Sequence, residues 1–194
     1  MEIPAEEVFN VLKSKGIDSI HHANTVVTAC QFLRTGSLLS RGTVERQNRY
    51  QTSQQSDKID QQYGIWFDVF ADSVDIHHRA KKANAYGPVL FVIDSTLIKD
   101  AYTGKAWVTK LNPIKWAGVK DEGRWFQSGL ELANGFFKGR FDQMIVIRNC
   151  DGEGTHSRPA CVNCVDWSSR GWGNRRQVGD VAGSHRGVDR SSAA

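Results

Sequence analysis

The sequence predicts a mixed α+β fold over residues 1–153, followed by a Gly-, Ser- and Arg-rich tail over residues 154–194 that is expected to be disordered. Three observations carry this expectation. Two short apolar runs, V-L-F-V-I at 89–93 and M-I-V-I at 144–147, are rich in β-branched residues and too short for buried helices. Before and between them lie segments with apolar residues at helical spacing. After Glu153 there is no Leu, Ile, Phe, Met or Lys, only five Val and two Trp, too little apolar surface to offset the entropy of ordering the chain.

Residues 3–15 place Ile3, Val8, Phe9 and Leu12 at helical spacing, with Glu6 and Glu7 in the first turn and Gly16 as a stop. This predicts an opening helix. Residues 17–22 follow as a short strand. Asn24 or Thr25 then caps a second helix with an apolar face of Val26, Val27, Cys30, Phe32 and Leu33, closing at Gly36. Leu38 and Leu39 turn back into the core. Residues 43–62 are almost wholly polar and predict a long exposed segment, of the kind that is functional or disordered inside a compact domain.

Residues 65–76 read as a helical or irregular packed segment with Asp68, Asp72 and Asp75 on its outer side. These acids, with His77 and His78, match no metal-ligand spacing, and no metal is expected there. The strand at 89–93 reads as apolar on both faces and ends at Asp94-Ser95-Thr96. A Trp- and Gly-rich stretch with Trp107, Trp116 and Trp125 leads to a helix over 127–137. The run from 143 to 153, Q-M-I-V-I-R-N-C-D-G-E, is a buried strand that delivers Asp151 and Glu153 to a sheet rim, Gly152 supplying the turn. The plainer reading of Asp151 is a turn residue before glycine.

Composition excludes several classes. No apolar run is long enough to span a bilayer, and the acidic N-terminus lacks the basic region of a signal peptide, so a cytoplasmic protein with no membrane partner is expected. Four scattered cysteines argue for reduced thiols. Cys150, His156, Cys161 and Cys164 form a span too tight for a zinc knuckle with no second one following. The net charge of +4 is concentrated in the tail, where six Arg face three Asp; residues 1–153 carry only +1. A basic tail adds sequence-independent affinity for phosphates at most.

The stretch I-D-S-I-H-H-A-N-T-V-V-T-A-C-Q-F-L-R-T-G-S-L-L-S resembles the opening of DarT-like members of the ADP-ribosyltransferase superfamily. In those proteins a strand ending in His precedes a helix that finishes in a Gly-Leu-Leu-Ser type turn. His22 matches the strand-end His; Gly36, Leu38, Leu39 and Ser40 match the turn. The strands at 86–94 and 144–153 are similar to the two that flank the nicotinamide pocket, and the resemblance covers roughly residues 17–153. Asn24 stands where the family tends to have Thr, and residues 154–194 offer no strand where its sheet continues.

The resemblance implies a split β-sheet core with flanking helices, NAD as substrate, and transfer of ADP-ribose to nucleic acid, as in toxin or phage-defence proteins. Glu153 is then the catalytic carboxylate, with Asp151 and Arg49 beside it. The dinucleotide is held by His22 as a hydrogen-bond donor, by Asn24, Ser40, Arg41 and Ser95, and by an aromatic residue that is Tyr86 or Phe91. An antitoxin or inhibitor protein is a further expected partner. Arg41, Arg46 and Arg49 on the polar segment suit phosphates of the acceptor. A protein-modifying transferase, a catalytically silent nucleic-acid-binding module and an unrelated structural protein are the alternatives.

Overall fold

A computed structural model describes residues 2–79, 86–99 and 105–148. Asp151, Glu153, the Cys/His set from 150 to 164 and the tail lie outside the described residues. The elements run β1 (Ile3–Pro4), α1 (Ala5–Ser14), β2 (Ser19–Asn24), α2 (Val26–Thr35), α3 (Arg41–Arg46), α4 (Asp57–Gln62), β3 (Val69–Ala71), β4 (Val89–Asp94), β5 (Lys105–Val108), α5 (Asp121–Arg124), α6 (Gly129–Gly135) and β6 (Ile145–Ile147). Short 3-10 turns at Ile76–Arg79, Ser95–Ile98 and Pro113–Lys115 connect them. The fold is mixed α+β with two antiparallel sheets. One has four strands in the order β1-β5-β6-β3; the other pairs β2 with β4, His22 opposite Phe91. No helix among the described residues is long and apolar enough to cross a membrane.

Local chemistry explains the termini. Thr25, extended at φ −68°, caps α2 by accepting from the Thr28 amide, and Gly36 closes it in the left-handed region at φ +65°. Ser40 caps α3 in the same way through the Thr43 amide. Ser128 caps α6, which is shorter than the sequence suggested because Phe136 leaves the helix for an extended conformation. Its last turn is closed by Gln143, whose buried side chain bonds at both ends: Nε2 donates to the Gly135 carbonyl and Oε1 accepts from the Phe137 amide.

The main core joins α1, α6 and both sheets through Val8, Leu12, Ile20, Phe32, Phe91, Leu132, Phe136 and Ile145. A second cluster packs Trp107, Trp116 and Trp125 with Ile65 and Val146 behind β6, where Trp116 meets Trp125 edge-on at 4.9 Å. β6 lies between β5 and β3, and Ile145 and Val146 are fully buried, as the sequence predicted for this strand.

Four expectations give way to tertiary packing. The most apolar stripe of α2 does not face inward: Val26, Val27, Cys30 and Leu33 are exposed, while Thr28, Ala29 and Phe32 are buried. Both stripes fit the helical period, and the stripe with smaller side chains lies against the sheet, with the Phe32 ring 5.7 Å from Phe91. β4 is covered on one face only, so Val92 stands out to solvent between buried Phe91 and Ile93. Residues 43–62 are not a featureless loop but carry α3 and α4, tied together by Arg41 and Asp57. Residues 65–76 contain β3, and Asp68 and Asp72 point inward rather than out. Asp68 is buried because Arg148, at the end of β6, reaches it at 2.9 Å.

Candidate functional site

Among the described residues the two sheets are bridged where β2 meets the end of β3. His21 and Asp72 exchange backbone hydrogen bonds at 2.8 Å each way, which joins β2 to the residue just after β3. One residue along β2, the His22 ring strengthens the junction: Nδ1 lies 2.7 Å from the Phe70 carbonyl oxygen on β3. A carbonyl can only accept, so Nδ1 carries the proton. Burial lowers the pKa of His22, with the Phe70 hydrogen bond opposing, and the ring is neutral. Nε2 is therefore an acceptor, and Asn24 Nδ2 donates to it at 3.3 Å. The Asn24 amide is oriented by the Thr25 N–H, which donates to Oδ1 at 2.8 Å. The donor expected of His22 is spent within the protein, and its lone pair, on Nε2, is shared with Asn24 on the cleft wall.

Beside this junction opens a cleft of about 830 Å³. Its walls come from the end of β2, the N-terminus of α2, the Ser40–Arg41 turn, residues 51–56, α4 and β3. The wall at 51–56 is fastened by Thr52, whose hydroxyl meets that of Thr25 at 3.0 Å and whose carbonyl accepts from Arg41 Nη2 at 3.1 Å. Arg41 is held further by Asp57: Nη2 donates to Oδ2 at 2.8 Å, and Nε sits 2.7 Å from Oδ1 off the line of a hydrogen bond. Its guanidinium lies over the Trp66 ring, 5.3 Å from the centroid. Arg41 thus stiffens the wall.

The cleft brings together five of the positions singled out from sequence: His22, Asn24, Ser40, Arg41 and Tyr86. Three others stand apart. Phe91 is buried under His22, against Phe32, because strand alternation turns its ring into the core. Ser95 is buried beyond the end of β4, its amide donating to the Asp18 carbonyl. Arg49 is exposed after α3, where Nε donates to Gln47 at 2.7 Å, and it is not among the cleft-lining residues. Of the two aromatic candidates, Tyr86 is the one on the cleft.

Sequence reading placed Asp68 and Asp72 on an outer face and passed over Asp60. Asp60, Asp68 and Asp72 all line the cleft. Asp60, on α4, accepts from the Ser56 hydroxyl at 3.1 Å, and burial raises its pKa to about 6, with the charges of Asp57 and Asp68 adding to the effect. The available signal was S-x-x-x-D at 56–60, one helical turn that puts a hydroxyl beside a carboxylate. It lay inside a stretch too polar to suggest a wall. Comparison with protein-family models, with characterised proteins and with solved structures found no match to this chain.

Proposed function

We propose that the protein is an NAD-dependent ADP-ribosyltransferase whose acceptor is a nucleic acid, with the split sheet of that superfamily formed by the β2–β4 pair and the four-stranded sheet. One observation carries the reading: five positions of the resemblance, scattered from 22 to 86 in the chain, line a single cleft at the junction of two sheets. The cleft volume falls within the roughly 300–1,000 Å³ of small-molecule sites.

The chemistry of the lining suits the substrate. His22 Nε2 and the Asn24 amide form an acceptor–donor pair on the cleft wall, and a ribose diol can bind there by taking over their 3.3 Å bond. The N-terminus of α2, at Thr25 and Thr28, opens on the same cleft and favours a pyrophosphate. Asp68 and Asp72, on the β3 side of the cleft, favour the cationic nicotinamide ring and the oxocarbenium charge that develops when its bond to ribose breaks. Glu153, supplied by the chain that leaves β6, is the carboxylate proposed to stabilise that charge at the ribose hydroxyl, with Asp151 beside the acceptor. The polar segment with Arg46 and Arg49 leads away from the cleft and suits acceptor phosphates.

The test is incubation of the full chain with NAD labelled in its adenylate half, together with separate DNA, RNA and protein pools. Label on DNA or RNA is expected. Label on protein alone would move the acceptor to a protein, and NAD left intact in every pool would overturn the reading.

A further inference from the structure

We propose that Asp60 is the base that takes the acceptor's proton during transfer, a role that rests on the transferase reading above. The carboxylate lines the cleft, and its one side-chain partner among the described residues is a neutral hydroxyl, Ser56. Among the described residues no cation forms a salt bridge with it. Asp57, on the same helix, is paired with Arg41 from α3; Asp68, before β3, is paired with Arg148; Lys115, on the 3-10 turn packed against α4, is paired with Asp142. Arg41, whose charge acts on Asp60 against the rise in pKa, is already held by Asp57, and Lys58 on the same helix is exposed to solvent.

Position matches the role. The backbone of Asp60 is fixed at both ends, its amide donating to the Ser56 carbonyl and its carbonyl accepting from the Ile65 amide, each at 2.9 Å. Just beyond, Arg148 at the exit of β6 reaches Asp68 and the Gly64 carbonyl. Arg148 thus ties the end of β6 to the chain just after the helix that bears Asp60. Ile114, on the turn packed against α4, and Phe141 line the cleft with exposed apolar surface on which a planar acceptor can lie. A base with a pKa close to working pH is the most effective kind, and burial supplies that property here.

The step balances without a further reagent. The bond between ribose C1′ and the nicotinamide nitrogen breaks, and its electron pair leaves on neutral nicotinamide. The acceptor's nitrogen or oxygen lone pair forms the new bond to C1′, and the proton it sheds passes to the Asp60 carboxylate and then to water. Glu153 stabilises the cationic centre, while Asp60 acts on the other reactant.

The experiment measures labelled transfer to the nucleic-acid pool across about pH 5 to 8, with NAD binding and NAD hydrolysis followed in parallel, for the wild type, Asp60→Asn and Ser56→Ala. Wild-type transfer should fall on an acidic limb near pH 6. Asp60→Asn should bind and hydrolyse NAD normally yet transfer a hundredfold or so more slowly, with the limb gone. Ser56→Ala removes a hydrogen bond to the charged form, so its limb should move to higher pH. Wild-type rate and limb in a folded Asp60→Asn would overturn the role of Asp60 and leave the transferase reading standing. Loss of NAD binding in that variant would overturn it too, making Asp60 a binding residue. A wild type that neither binds nor consumes NAD would remove the reading and this proposal together.

Discussion

His21 and Asp72 trade backbone hydrogen bonds in both directions at 2.8 Å, and around that exchange the two sheets are joined and the cleft is built. The residues on either side follow from it. His22 turns its ring to the Phe70 carbonyl, and Asn24, two residues on, is aimed back at His22. In an antiparallel strand the N–H and C=O of one residue point the same way, so His21 faces Asp72 and makes no ladder bonds to Val92. His21→Pro therefore cuts the junction while sparing the β2–β4 ladder. It should cost about 3 kcal/mol or more in thermal or denaturant unfolding. Amide exchange should still find β2 and β4 protected, and loss of protection throughout both strands would contradict this view of the junction.

Arg148 and Asp68 form the second tie, between the end of β6 and the entrance to β3. The Asp68 side chain is 1% exposed, and the guanidinium also lies over Trp107 and Trp125 at 5.6 and 5.5 Å. Arg148→Leu strands a buried carboxylate and should destabilise by about 3 kcal/mol. Adding Asp68→Asn should recover much of the loss. Additive effects in this double-mutant cycle would mean that the two groups do not depend on each other.

Gly87 holds the backbone at φ +90° against Asn24, where a Cβ would collide with the Asn24 carbonyl group. The Gly87 carbonyl also meets His77 Nε2 at 2.7 Å. Gly87→Ala is expected to push β2 away from its seat, weakening ligand binding at His22 and Asn24 and costing about 1–3 kcal/mol of stability. Unchanged melting and NAD affinity would show that this contact is slack.

Two titrations act on stability with opposite signs. Burial lowers the pKa of His22, so below its ordinary value of 6.5 the unfolded chain takes up a proton that the folded chain refuses. Stability falls with pH in that range, and His22→Gln should flatten the fall. Asp60 is raised, to about 6 from 3.8: its charge is a penalty above pH 6, relieved as pH drops through that value and absent below 3.8. Asp60→Asn should therefore stabilise by on the order of 1 kcal/mol at about pH 8, after allowance for partial exposure, and by little at about pH 4. A destabilised Asp60→Asn at high pH would mean that the carboxylate has a cationic partner.

Much of the fold was legible because it is local. Glu6 and Glu7 before an apolar 3.6 period, Thr25 and Gly36 at the ends of α2, and the β-branched run at Ile145–Ile147 each carry their instruction within a few residues. What escaped depends on distant partners. Asp68 looks like a surface acid until Arg148, 80 residues away, is placed beside it. The apolar stripe of Val26, Val27, Cys30 and Leu33 is a better inward face by composition than Thr28, Ala29 and Phe32, and only the close fit against β4 reverses the choice. The same holds for the site. His22, Asn24 and Ser40 are near strand and helix ends that the sequence marks, whereas Asp60 needs α4 folded against the cleft before its carboxylate has a role.

The most direct test of the transferase account is the turnover of NAD by the full chain beside that of Glu153→Gln. The substitution keeps the shape of the side chain and removes the charge proposed to oppose the oxocarbenium. Wild type should release nicotinamide and label nucleic acid, while the variant binds NAD with similar affinity and turns over a hundredfold or more slowly, about 3 kcal/mol of lost transition-state stabilisation. Equal turnover by the two proteins would contradict the account.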